Sequence, residues 1–338
     1  MSNSTNRIKL EKRADTQAGI GSTLSAQLGE IMQELRVDSD PHVQSDATRQ
    51  MSATELETEL SPGEMTRLAN DLMQSVTLGT ATDAGESRAK AVALWCAAAE
   101  RGDKHARYSY AMCLRAGDGV AADPSTAMSE LLELACEGHP WAQFVVAIAL
   151  RDGADVEQDE TRALELFQIA AANKVAPALL NIGNMLAEGS GVPGGEPDIP
   201  GALVWYRKAA GAGDPKAMWT LGQHYSQGLG VERDDAKAFE FHSRAADAGM
   251  GPLAKFAVGT HYLQGTGVQR DYERAAALYE EAAEAGLTVA LVNLANMYLE
   301  GLGVAKSRER ARELLQQAAP RDHNARTALQ QLDAQQMT

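Results

Sequence analysis

Ala217-Met-Trp-Thr-Leu-Gly222-Gln-His-Tyr225-Ser-Gln-Gly228-Leu-Gly230-Val231 is the stretch from which the fold can be read. Ala217, Leu221, Gly222 and Tyr225 share one face of a helix with about 3.6 residues per turn. Gly228 then supplies a C-terminal stop. The pattern recurs along the chain, closing on Gly117, Gly153, Gly189, Gly228, Gly265 and Gly301, at steps of 36, 36, 39, 37 and 36 residues. A fixed period of this size marks a repeat architecture. The one long step holds Pro193-Gly-Gly-Glu-Pro197-Asp-Ile-Pro200, a loop insertion.

Eleven residues before each closing glycine stands an alanine: Ala106, Ala142, Ala178, Ala217, Ala254 and Ala290. Five residues after that alanine the side chain is always small: Ala111, Ala147, Gly183, Gly222, Gly259 or Ala295. We term this helix A. A second helix, B, follows each loop with its own alanine column: Ala91, Ala127, Ala163, Ala202, Ala238, Ala275 and Ala311. Eight residues on, a further column reads Ala99, Ala135, Ala171, Ala210, Ala246, Ala283 and Ala319. Small residues held at fixed spacing imply backbones that nearly touch, where a larger side chain overpacks at a cost of about 1–3 kcal/mol. Both columns are therefore expected at helix crossings, with Leu94, Leu166, Trp205, Phe241, Leu278 and Leu314 as the bulky knobs between them. About six complete helix pairs result, opened by a degenerate pair at 65–102 and closed by a polar-faced helix at 324–336. Terminal repeats of such arrays must meet water.

The period and the run Ala…Leu-Gly…Tyr…Gly-x-Gly-Val…Ala…Trp-Tyr…Ala-Ala…Gly resemble the Sel1-like repeats, relatives of the tetratricopeptide repeats. Residues 217–231 are the clearest copy, and Val204-Trp205-Tyr206-Arg207-Lys208-Ala209-Ala210 matches the second helix equally well. The resemblance covers 65–322. In one repeat Asp155 replaces the second loop glycine and Lys174 the terminal one, which is expected to loosen that turn. The resemblance implies an all-α, right-handed α-solenoid of Sel1-like helix pairs whose concave face binds proteins. The domain reading is a flexible N-terminal arm (1–62), the repeat solenoid (63–322) and a C-terminal capping helix (323–338).

Composition agrees with helices packed closely. The 338 residues are 44% hydrophobic but only 5% aromatic, so Ala, Leu and Val must build the core. Net charge is −15, which sets aside nucleic acid as a partner, because phosphate neutralisation needs a basic surface. No apolar stretch is long enough to insert in a membrane. Three cysteines do not make a disulfide framework, and a reducing cytoplasm is expected, an organelle matrix being the alternative. In the arm, Leu24, Leu28, Ile31, Met32 and Leu35 keep helical spacing, and a second helix over 47–60 is expected to stop at Ser61-Pro62-Gly63.

No catalytic constellation emerges, and an enzyme, a metal or a cofactor is not expected. Each Gly-x-Gly-Val joins two helices and is a turn rather than a phosphate loop. His224 and His261 hold the same position in successive repeats, yet equivalent helices stand too far apart to share a zinc ion, so packing or surface roles are expected. Cys96, Cys113 and Cys136 read as buried, inert thiols. Asp234-Asp235 suits a helix N-terminus and Glu280-Glu281 a solvated face.

Binding is the better-supported activity. By analogy with tetratricopeptide geometry, helix A lines the groove at positions −1, +2, +6 and +9 from its alanine. The +2 column is Tyr108, Phe144, Leu180, Trp219, Phe256 and Val292; the +6 column is Met112, Ile148, Asn184, Gln223, Thr260 and Asn296. Of these, Tyr108, Phe144, Asn184, Trp219, Gln223, Phe256, Thr260 and Asn296 are the expected partner-binding residues, an aromatic stripe beside amides that can hold a peptide backbone. Arg115 and Arg151, at +9, are expected to make their end locally basic. The expected function is a scaffold or adaptor for a protein partner. The alternative is a permanent structural subunit of a large complex.

Overall fold

The structure, a computed structural model, describes residues 60–334, so the readings made for 1–59, including the helix over Ser22–Arg36, lie outside it. Among the described residues there are fifteen helices and no strand. They are α1 (Pro62–Thr77), α2 (Ala84–Glu100), α3 (Lys104–Ala116), α4 (Pro124–Cys136), α5 (Pro140–Asp152), α6 (Glu160–Ala172), α7 (Ala176–Glu188) and α8 (Ile199–Gly211). There follow α9 (Pro215–Gln227), α10 (Asp235–Asp247), α11 (Pro252–Gln264), α12 (Tyr272–Glu284), α13 (Thr288–Glu300), α14 (Arg308–Ala318) and α15 (His323–Ala334). The described residues divide into two compact units, up to 158 with α1–α5 and from 159 with α6–α15. In the first, α1 packs on α2 and α3 on α4; in the second, α7/α8, α9/α10, α11/α12 and α13/α14 are the tightest pairs.

Sequence sets both ends of most helices. The A helices close on the expected glycines in the left-handed conformation, with φ between 67° and 77°, where a side chain would clash with its own backbone. At the start of many helices an aspartate accepts a backbone N–H three residues on, as Asp103, Asp123, Asp159, Asp198, Asp214, Asp234 and Asp271 do at 2.8–3.0 Å. Part of the acidic surplus is thus helix capping. Ser61 and Pro62 open α1, where Ser61 and Glu64 form a reciprocal capping box; the helix over 47–60 that they were expected to stop lies outside the described residues. Asp155 and Lys174 do not abandon the turn but adopt φ of 65° and 68°, the glycine conformation with a side chain attached.

The packing corrects the column assignment by one residue. The first alanine column of helix B is fully buried throughout, from Ala91 to Ala311. The second is not: Ala99, Ala171, Ala246, Ala283 and Ala319 are half-buried. Their predecessors Ala98, Leu134, Ala170, Ala209, Ala245, Ala282 and Ala318 have no exposed surface. Likewise the knobs are Trp95, Leu131, Phe167, Tyr206, His242, Tyr279 and Leu315, all buried; of the expected knobs only Leu94 and Leu314 are buried as well, whereas Leu166, Trp205, Phe241 and Leu278 are half-buried. The small residue of helix A is the hole for that knob. A Cβ on Gly183 would stand 2.5 Å from the Tyr206 ring, one on Gly259 2.9 Å from Tyr279, and one on Gly222 would collide with His242. Ring and glycine match in size, and in the pairs whose knob is Leu131 or Leu315 the small residue is Ala111 or Ala295.

Candidate protein-interaction face

Helix A leaves one face open. Its −1 residues His105, Trp141, Pro177, Lys216, Leu253 and Val289 are exposed, and its +2 and +6 residues are half-buried except Asn296, which is exposed. Position explains this: the +5 residue points into the partner B helix, so residues three to four positions apart on the adjoining stripe lie beside the crossing rather than within it.

In the second unit the +2 aromatics rest on the knobs. Trp219 lies 4.8 Å from the His242 ring, and Phe256 stacks on Tyr279 at 5.1 Å with 28° between planes. One side of each ring is held by the core while the residue stays half-exposed. Such rings present apolar area with little conformational entropy left to lose.

The +6 residues then separate into two kinds, which their sequence column does not reveal. Tyr206 Oη donates to Asn184 Oδ1 at 2.9 Å. Thr260 donates to the Phe256 carbonyl at 3.0 Å, so Tyr279 Oη donates to Thr260 at 3.1 Å. Asn184 and Thr260 are therefore engaged in seating a buried phenol. In the other two pairs the knob is His242 or Leu315, which has no hydroxyl to offer. The Gln223 side-chain oxygen accepts from its exposed neighbour Gln227, at 2.9 Å, and its own amide N–H2 remains on the face.

The first unit carries a different face. Tyr108 stacks on His139 at 5.0 Å, Phe144 meets Trp141 edge-on at 5.9 Å, and Trp141 is 45% exposed. Met112 and Ile148 stand where the second unit has Asn184, Gln223, Thr260 and Asn296. The expected basic end does not form, because Arg115 meets Asp155 at 3.3 Å and Arg151 meets Asp152 at 2.7 Å.

The repeated histidines have a structural explanation. His224 Nδ1 donates to the Leu229 carbonyl and His261 Nδ1 to the Thr266 carbonyl, each at 2.8 Å, so each ring ties down its own loop. Both are buried, and His261 contacts His242 rather than His224. Among the described residues no group of three or more His, Cys, Asp or Glu is placed to hold a metal ion. Cys96 and Cys113 are buried, and burial pushes each thiol up to about 11, but Cys136 is exposed, contrary to expectation, because it ends α4 on the outer side. Asp234 caps α10, and Glu280 and Glu281 lie exposed, facing Arg310 and Lys255. No helix among the described residues is long and apolar enough to cross a membrane.

Paired helices of one period, glycine-closed turns and an open face of half-held rings define a helical-repeat protein of the tetratricopeptide-like class, whose repeats mediate protein–protein interaction. The Sel1 repeat matches residues 79–103, 104–138, 142–175, 176–214, 215–250, 252–287 and 288–323, and the chain belongs to the Sel1 repeat family. A crystal structure of a protective antigen from uropathogenic Escherichia coli, with an SLR fold, superposes with a TM-score of 0.73 at 28% identity, over 82% of this chain and 58% of that one. A Sel1 repeat protein from Oxalobacter formigenes superposes with a TM-score of 0.59 at 25% identity, over 74% and 96%. A chitin synthase regulator of Saccharomyces cerevisiae is 32% identical over 130 residues, 38% of this chain and 18% of that protein. An uncharacterized protein of Neisseria meningitidis serogroup B is 34% identical over 149 residues, 44% of this chain and 29% of that one. The chain thus spans less than a third of the length of either relative.

Proposed function

We propose that this protein is a non-enzymatic scaffold or adaptor that holds a protein partner against the open face of its A helices. Trp219, Phe256, Gln223 and Asn296 contact the partner in the second unit, and Tyr108 and Phe144 in the first. Asn184 and Thr260 act behind them by seating Tyr206 and Tyr279. The observation that carries this reading is Trp219: its ring is backed by His242 at 4.8 Å, stays half-exposed and stands one turn from the uncommitted amide of Gln223. A rigid aromatic beside an adaptable polar group is the composition that binding hot spots favour.

Regulation of another protein is favoured over a fixed structural place in a complex. The relative from Saccharomyces cerevisiae is described as a chitin synthase regulator, and one from Schizosaccharomyces pombe, 43% identical over 123 residues, as a chitin synthase regulatory factor. The free thiols suit a reducing cytoplasm.

The test is affinity capture from native lysate with the wild-type chain and with Trp219→Ala/Gln223→Ala, quantified by mass spectrometry, with helicity followed by circular dichroism. The main captured protein should be lost and helicity kept. Undiminished capture by the double variant would overturn the proposal.

A further inference from the structure

His242 is the odd residue of its column. Trp, Leu, Phe, Tyr, Tyr and Leu fill the equivalent buried place elsewhere, and the two flanking pairs both use tyrosine, Tyr206 and Tyr279. Its ring is buried against Gly222, and Nδ1 lies 3.0 Å from His261 Nε2.

The hydrogen-bond network assigns the protons. A carbonyl only accepts, so His261 Nδ1, 2.8 Å from the Thr266 carbonyl, carries a hydrogen. In the neutral ring His261 Nε2 is then the acceptor, and His242 Nδ1 donates to it. His242 Nε2 is left as a bare lone pair, buried and without a partner.

Neither place for an added proton suits this arrangement. On His242 Nε2 it would create a buried N–H and a charge with nothing to receive them. On His261 Nε2 it would set two N–H groups against each other at 3.0 Å. The helices packed on α10 offer no relief. From α9, His224 is bound to Leu229; from α11, His261 is the only titratable group acting on His242. On α10 itself the Asp235 carboxylate is held down chiefly by its bond to Arg233, while Asp234 pairs with Lys237 and Glu240 with Arg244.

We propose that the His242–His261 pair is a proton-sensitive latch beneath Trp219, which loosens the α9/α10 crossing and unseats that ring when the surroundings acidify. This rests on the reading of Trp219 as part of the partner face only for its consequence, which is a face that lets go in acid. Burial, and secondarily the neighbouring His261, holds the closed His242 ring down to about 4 from an ordinary 6.5. An opened ring takes its proton from about pH 6.5 downward, so opening grows by on the order of tenfold or more between pH 7.5 and 5.0.

Hydrogen exchange on the full chain at pH 7.5 and 5.0, corrected for intrinsic rates, tests the latch in wild type and in His242→Tyr. In wild type, exchange across 215–264 should rise by on the order of tenfold at pH 5.0 relative to α7 and α8. His242→Tyr, which restores the flanking residue type, should remove that rise. Equal responses in both chains, or none in wild type, would sink the proposal. If His242→Tyr does not fold, the wild-type chain decides alone, by following His242 ring carbon shifts together with the amides of 215–227. Protonation coincident with loss of protection supports the latch, and protonation with full protection overturns it. No partner takes part, so the outcome is independent of whether Trp219 binds one.

Discussion

The pairs α9/α10 and α11/α12 share a plan and differ at one buried ring. In α11/α12, Tyr279 fills the hole over Gly259, donates to Thr260 and carries Phe256 on its face. In α9/α10, His242 fills the hole over Gly222, carries Trp219, leaves Gln223 uncommitted and has one nitrogen without a partner. The difference teaches that one substitution at a crossing frees a polar group on the surface and introduces a titratable one beneath it. Recognition and sensitivity then arise in the same place.

The comparison is broken hardest by removing the rings. Tyr279→Ala should cost about 3–5 kcal/mol, as for other buried aromatic truncations. His242→Ala should cost about 1–3 kcal/mol, because a smaller ring is lost and an unpartnered buried nitrogen goes with it. Urea unfolding monitored by circular dichroism gives both values, and equal losses would mean that the two rings are alike in their seats.

Next in size is the crossing itself. Ala245 has no exposed surface and Ala246 is half-buried, so Ala245→Leu should cost about 1–3 kcal/mol and Ala246→Leu well under 1 kcal/mol. The opposite order in thermal melts would return the crossing to the second alanine column.

Acid should distinguish the pairs by a smaller margin. The fold keeps His242 neutral down to about 4, against 6.5 for an ordinary ring. The unfolded chain therefore binds the extra proton first, and stability falls as pH drops from 6.5 toward 4. By pH 5.0 the loss from this one group is about 1–2 kcal/mol, and it is absent above pH 7. The gap between the denaturant midpoints of wild type and His242→Tyr should widen, at the expense of wild type, from pH 7.5 to pH 5.0.

The smallest effect lies outside either pair. Lys174 holds φ of 68° where Gly213, Gly249 and Gly286 occupy the equivalent turns. Lys174→Gly should stabilise by about 0.5–1 kcal/mol through release of that conformation, less the entropy that glycine returns to the unfolded chain. A lower melting temperature would show that the lysine side chain contributes more than its strained backbone costs.

The period, the helix ends and the small hole in helix A are legible in the sequence because glycine and alanine there answer to backbone contact, which few residues allow. The adjacent position is harder to assign where both neighbours are alanine, as at Ala245 and Ala246, since composition cannot show which one faces inward. Glu130, which holds the place of Leu94 and Leu166 in its own repeat, is the residue that argues against that column as the knob. The true knob column mixes Trp, Leu, Phe, Tyr and His, so it has a common size and no common chemistry. Asn184 and Gln223 occupy one column yet differ in commitment, because the deciding residue is Tyr206 or His242 on the next helix, about twenty positions along the chain. Sequence spacing within one helix carries no trace of it.

The second glycine of each turn has a consequence for how such a chain can diversify. Gly191 sits against the Glu160 carbonyl, Gly267 against that of Asp235 and Gly303 against Tyr272, so these three loops close on the main chain at the start of the preceding B helix, whereas Gly230 meets the Ile199 side chain. A main-chain surface is the same whatever side chains it bears. Successive modules are thus spaced by contacts that mutation of the open face leaves intact. Selection can rewrite what the face recognises, one position at a time, without renegotiating how the modules stack.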